Sequence, residues 1–138
     1  MSVRWSWPAH LSDPAKAQAP ELQQLTLVIP SVPPSLNALL RMHWKERRKF
    51  NLTWAQWIQA ARSEQVQGLF PTFTRASVTI ERRSPHLIDT DNCYGSAKCV
   101  VDALKANAII TDDSPEHITL TVRQTKGPAQ TTIHVRRE

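Results

Sequence analysis

The tetrapeptide Asp89-Thr90-Asp91-Asn92 is the part of this chain richest in usable chemistry. On an extended segment, side chains two apart point the same way, so Asp89 and Asp91 would aim two carboxylates at one point. Carboxylates held that close repel, and a cation removes the repulsion. Hard oxygen ligands select Mg²⁺ or Mn²⁺ over Zn²⁺. Asn92 suits the N-cap of a following helix, whose positive end favours nearby negative charge. The same four residues also suit a polar turn before a helix, and alone they do not separate the two readings. Downstream, Lys98, Asp102 and Lys105 share a helical stripe with Asp91. Lys98 falls within two turns of the carboxylates, where an ammonium stabilises charge on a phosphorane-like transition state. A solvated face of alternating charge has the same pattern. Asp112-Asp113 then ends the apolar run Ile109-Ile110, as a second acidic pair or as a solvated turn.

A polyanion would meet its cations elsewhere. Arg41, Lys45, Arg47, Arg48 and Lys49 form a dense basic run, with His43, Trp44 and Phe50 interleaved. Phosphate contact and base stacking use that combination, although a helix face over aromatic core residues shares it. Lys126, Arg136 and Arg137 are placed to extend the footprint or merely to solvate the surface. Trp54 and Trp57 read as core.

These side chains need a scaffold to position them. Leu25–Ile29 is a β-branched run stopped by Pro30, hence a strand. A loop follows at Pro33-Pro34-Ser35. The stretch from Asn37 to about Gly68 reads as mostly helix in its second half, with Trp54, Trp57, Ile58 and Ala61 at helical spacing and Gly68 and Pro71 ending it. Ala76–Glu81 alternates apolar and polar as a half-buried strand, and 82–87 reads as irregular. Asn92–Ala108 is the second helix, with its apolar residues Cys93, Ala97, Val100, Val101, Leu104 and Ala108 at helical spacing. Ile118–Arg123 and Thr131–Val135 are strands, and Lys126-Gly127-Pro128 predicts a hairpin between them. The order β-α-β-α-β-β predicts an α+β fold: a mixed sheet, two main helices packed on it and an antiparallel hairpin at one side.

The bulk numbers set bounds. At 138 residues and 41% apolar, the chain fits one small domain. We expect residues 25–138 to form it and residues 1–24, rich in Pro, Ala and Gln, to be a flexible extension in which Trp5 and Trp7 dock on something. Three glycines and no GxxxxGK[ST] or GxGxxG motif argue against a nucleotide loop. Seventeen Lys and Arg against twelve Asp and Glu give a formal charge of +5 and a pI near 9.7, which attracts polyanions. No apolar run is long enough for a membrane span, and the N-terminus lacks the apolar core of a signal peptide, so a cytoplasmic protein without membrane partners is expected. Cys93 and Cys99 are not a CxxC pair and lack His partners at ligand spacing, so buried reduced thiols are expected rather than a zinc site or a disulfide.

Taken together, DTDNCYGSAKCVVDALKANAIITDD resembles the RusA family of Holliday junction resolvases. The family pattern is DxDN, a Lys, Asp-x-Leu, and a hydrophobic link to Asp-Asp. The resemblance puts Asp89, Asp91 and Asp113 on the three catalytic, metal-binding aspartates and Lys98 on the catalytic lysine. Asp102-Ala103-Leu104 falls on Asp-x-Leu and Asp112 on the first acid of the pair; Asp112, Asp102 and Asn92 then support the site. IPSVPPSLNALLRMHWKER resembles the family's opening strand and its Pro-Pro-Ser-x-Asn loop, carried here by Pro33, Pro34, Ser35 and Asn37. Two departures stand out. The gap from Asp91 to Lys98 is about one helical turn longer than in the founding member. Ile88 precedes DxDN where the family often has Arg, with Arg82 and Arg83 further upstream. Asn37, Arg82 and Arg83 complete the expected DNA contacts beside Arg41, His43, Lys45, Arg47, Arg48 and Lys49. The resemblance implies a Mg²⁺-dependent endodeoxyribonuclease, working as a homodimer, that cuts opposed strands of a four-way junction in recombination and repair. A broader flap or fork nuclease, a DNA-binding homologue without catalysis, and a partner-binding domain with solvated acids are the competing readings.

Overall fold

The computed structural model describes residues 23–66 and 72–138. The N-terminal residues through 22, with Trp5 and Trp7, and the proposed helix stop at Gly68 and Pro71 lie outside the described residues. The elements run β1 (Gln24–Ile29), α1 (Leu36–Arg41), α2 (Trp44–Gln65), β2 (Ala76–Ser84), α3 (Thr90–Ala106), β3 (Ile118–Lys126) and β4 (Gln130–Arg137).

The strands form one mixed sheet in the order β1-β4-β2-β3. Alternation sets its two faces. Leu25, Leu27, Ile29, Val78, Ile80, Ile133 and Val135 are buried and share one core with the helices. Their neighbours Thr26, Thr79, Thr121, Thr132 and His134 make the opposite, half-buried polar face. α2 contributes Trp54 and Ile58 to the core, with Phe50, Ala55 and Ala61 packed beside them. Trp57, expected in the core, is 40% exposed and meets Trp54 edge-on with ring centroids 5.4 Å apart. α3 buries Cys93, Ala97, Val100, Val101 and Leu104 as its periodicity predicts. Both thiols are free and buried.

Three further expectations are corrected. The hairpin joining β3 to β4 does not form. β3 pairs with β2 in parallel from Ala76↔Ile118 to Ser84↔Lys126, and β4 pairs antiparallel along the other edge of β2. The connection instead arches over the end of β2, where the Gly127 N–H donates to the Ser84 carbonyl at 3.1 Å. Turn residues specify a chain reversal, not which strands pair beyond it. The basic aromatic stretch is helical through most of its first half too, because His43 opens α2 as N-cap, its Nδ1 accepting from the Lys45 N–H at 3.2 Å. Finally, α3 ends earlier than expected. Asn107 caps it, and Ala108 turns out at φ 55, a left-handed position usually left to glycine. That turn sends Ile109 and Ile110 back under the sheet edge, where Ile110 bridges Phe73.

Candidate active site

The DxDN segment is not extended. Asp89 is the N-cap of α3, and Asp91 already lies in its first turn. Asp and Asn cap helices about equally well, so their order in sequence does not choose between them. Tertiary contacts do. On the β2 side, Gln124 of β3 holds the lead-in by both backbone groups of Ile88, accepting from its N–H at 3.0 Å and donating to its carbonyl. On the helix side, Asn92 is drawn into other bonds. Its backbone N–H donates to Asp89 Oδ1 at 2.9 Å and its amide to Asp89 Oδ2 at 2.6 Å. Its Oδ1 accepts from the Asn37 N–H at 3.0 Å. The backbone donor of Asn92 is the main reason the Asp89 carboxyl sits below the usual carboxylate range.

The Pro-Pro-Ser-x-Asn loop is therefore seated on DxDN. Ser35 caps α1 through the Ala38 N–H at 3.2 Å, and Leu36 lies flat against Gly95 of α3. Only a residue without Cβ permits that approach, since a Cβ on Gly95 would fall 2.5 Å from Leu36 Cβ.

Two turns along α3, the Lys98 ammonium donates to Asp113 Oδ2 at 2.8 Å and pairs with Asp102 Oδ1 at 3.3 Å. The bond to Asp113 raises its pKa above the ordinary lysine value. Lys105 extends the ladder, reaching Asp112 Oδ1 at 3.0 Å and Asp113 Oδ1 at 4.0 Å. Its ammonium lowers the Asp112 carboxyl to about 2. The Lys98–Asp113 pair borders an open cavity of about 480 Å³ whose walls include Tyr94, Thr119 and Leu120. Tyr94, 43% exposed one turn before Lys98, and Gln124 are residues the sequence did not single out. An isolated Tyr or Gln in an otherwise regular element carries no spacing signal.

The structure thus gathers Lys98, Asp102, Asp112 and Asp113 into one ladder, with Asp89 and Asp91 at the start of the same helix. Asp91 and Lys98 stand about 10 Å apart along the axis at helical rise. Among the described residues, no three His, Cys, Asp or Glu side chains lie close enough to hold a metal ion. The donor chemistry still fits a hard divalent cation. All three expected ligands are carboxylates, and Asp89 and Asp91 are exposed. Each Asp89 oxygen keeps a second lone pair beyond its bond to Asn92.

No protein-family model and no curated protein matches the chain.

The basic residues are divided by the fold. Arg41, His43, Lys45, Arg47, Arg48 and Lys49 are exposed along the end of α1 and the first turns of α2. Lys45 lies over the Trp44 ring at 5.5 Å. Asn37 is exposed beside Arg41, whose Nε donates to the Asn37 carbonyl at 3.3 Å. Arg82, expected among the DNA contacts, is turned away from the surface. β2 runs on to Ser84 instead of ending at Glu81, and alternation turns Arg82 inward to 7% exposure. One of its amines donates to the Pro33 carbonyl at 3.3 Å, while Nε and Nη1 find no partner among the described residues. Arg83 faces outward but is held by the Pro128 carbonyl at 2.9 Å and Gln130 Oε1 at 2.7 Å. Among the described residues no helix is long and apolar enough to cross a membrane.

Proposed function

We propose that the protein is a divalent-metal-dependent endonuclease of branched DNA, with the four-way junction as its substrate. One observation carries the reading: the 2.8 Å contact between Lys98 and Asp113. It joins the helix that begins at DxDN to the Asp-Asp segment fifteen residues beyond Lys98, two parts of the pattern that the RusA resemblance assigns to one site. Mg²⁺, or Mn²⁺ in its place, would be held by Asp89, Asp91 and Asp113, whose carboxylates stand apart here and would have to draw together around the ion; when bound it supplies a Lewis acid that activates water and neutralises charge on the phosphate.

The chain's own residues do the rest. Lys98 presents a fully charged ammonium to the phosphate, kept in place by Asp102 from the next turn. Lys105 and Asp112 brace the segment that carries Asp113. Asn92 and Asn37 fix Asp89 against the α1 loop. The exposed cations from Arg41 to Lys49 take the phosphates flanking the cut. Two cuts related by two-fold symmetry call for two identical sites, which a C2 homodimer supplies.

The test is cleavage of a synthetic four-way junction in Mg²⁺ beside linear duplex, flap and fork substrates, with wild type and Asp91→Asn together. The expected result is preferential junction cutting that Asp91→Asn abolishes while junction binding persists. Preferential cutting of flaps or forks would replace the junction with another branched substrate. Binding without any cutting would remove catalysis from the reading.

A further inference from the structure

We propose that the groove between α2 and α3 binds one unpaired nucleotide of the substrate, the base stacking on Trp44 and the phosphate lying on Arg47 and Arg48. The proposal rests on the reading of this protein as a branched-DNA enzyme and names which part of such a substrate it grips.

The groove exists because small residues line the helix crossing. Ala55 of α2 faces Ala103 and Ala106 of α3, and the missing side-chain volume leaves an open space of about 490 Å³. That lies within the ~300–1,000 Å³ of small-ligand sites. Asn107 pins the crossing by donating its amide to the Ala55 carbonyl at 2.9 Å. The floor is apolar. Trp44, 56% exposed, and Leu52, 57% exposed, leave large apolar surfaces unburied at its sides.

The polar groups fit a nucleotide. Arg47 and Arg48 line the groove and form no ion pair with a described acid, which leaves two guanidinium forks for one phosphate. Asn51 offers a donor and an acceptor, and Asp102 an acceptor, for the edge of a base. An exposed tryptophan beside unpaired cations is the arrangement that binds single strands without sequence preference.

Size favours one nucleotide over a duplex, since a space of about 490 Å³ is the scale of a small-ligand site. Position ties the groove to the candidate site. Asp102 lines it and also pairs with Lys98 at 3.3 Å, which in turn holds Asp113. A nucleotide seated there lies about one helical turn from the Lys98 ammonium, as an unpaired nucleotide beside a branch point would.

The experiment measures binding alone, in EDTA, by anisotropy of a labelled single-stranded oligonucleotide, a duplex with a one-nucleotide gap and an intact duplex. The variants are Trp44→Ala, which removes the stacking wall, and Ala106→Leu, which fills the groove from an exposed position; circular dichroism checks that both fold. Both are expected to weaken single-strand and gapped binding about tenfold or more, the scale of one lost base stack, with duplex binding changed less than about twofold. Equal losses on all three substrates, or unchanged single-strand binding in both variants, would overturn the groove proposal and leave the nuclease reading standing. Wild type that binds none of the three would overturn both.

Discussion

Substituting Gly95 by alanine sets two known effects against each other, and the structure decides the sign. In an ordinary helix interior the change stabilises by about 0.8–1 kcal/mol, because glycine loses more backbone entropy on folding. Here the new Cβ would sit 2.5 Å from Leu36 Cβ, 2.7 Å from its Cδ2 and 2.8 Å from its Cγ. Rotating the leucine moves Cδ2 and Cγ but not Cβ, which is fixed to the α1 backbone. Restoring ordinary contact therefore requires α1 to retreat by about 1 Å. Overpacking of that kind costs about 1–3 kcal/mol. The retreat also pulls Asn37 from Asn92, a bond worth about 0.5 kcal/mol at so exposed a place. The balance is a net loss of about 1–2 kcal/mol, or about 3–7 °C in melting temperature for a chain of this size. Urea denaturation of wild type, Gly95→Ala, Leu36→Gly and the double variant measures the coupling. In the Leu36→Gly background the obstructing Cβ is gone, so Gly95→Ala should become stabilising by about 1 kcal/mol. A higher melting temperature for Gly95→Ala alone, or the same cost in both backgrounds, would refute the close packing of α1 on α3.

Lys98→Met should lower single-turnover cleavage by about 100-fold or more, the scale of losing one donor to a transition-state oxyanion, with DNA affinity nearly unchanged; activity within tenfold of wild type would remove Lys98 from the mechanism. Alkaline pH should destabilise the fold through Cys99, which burial pushes to about 12 from an ordinary value of 9.0. A thiol whose pKa is raised by folding contributes its stability fully below about pH 9 and loses it as pH rises toward 12, since the unfolded chain ionises first. By about pH 10.5 the loss is about 2 kcal/mol, added to a smaller one in the same direction from Cys93, which burial also raises. Urea denaturation from about pH 7 to 10.5 should show a flatter profile for Cys99→Ala; parallel profiles would sink the assignment.

The sequence determined what is periodic or local. Cys93, Ala97, Val100, Val101 and Leu104 had to share a face once that stretch was helical, and they are buried together. The Lys98–Asp102 pair follows from a four-residue spacing on the same helix. The β-branched run Leu25–Ile29 and the alternation from Ala76 onward marked both strands. What tertiary structure decided involves residues far apart in the chain, where local preference is nearly neutral. Lys126-Gly127-Pro128 promises a turn whether or not its strands pair, and β2 came to lie between them because hydrogen-bond partners across a sheet are chosen by the whole fold. Arg82 reads as a surface cation until β2 runs on past Glu81 and turns it inward. Asp89 rather than Asn92 caps α3 because Gln124 and Asn37, distant in sequence, hold the residues on either side. The Lys98–Asp113 contact depends on the left-handed turn at Ala108 and the Phe73–Ile110 bridge, which return the chain to the helix it has just left. The residue types of the site are thus written in the sequence, while their meeting is a property of the folded chain.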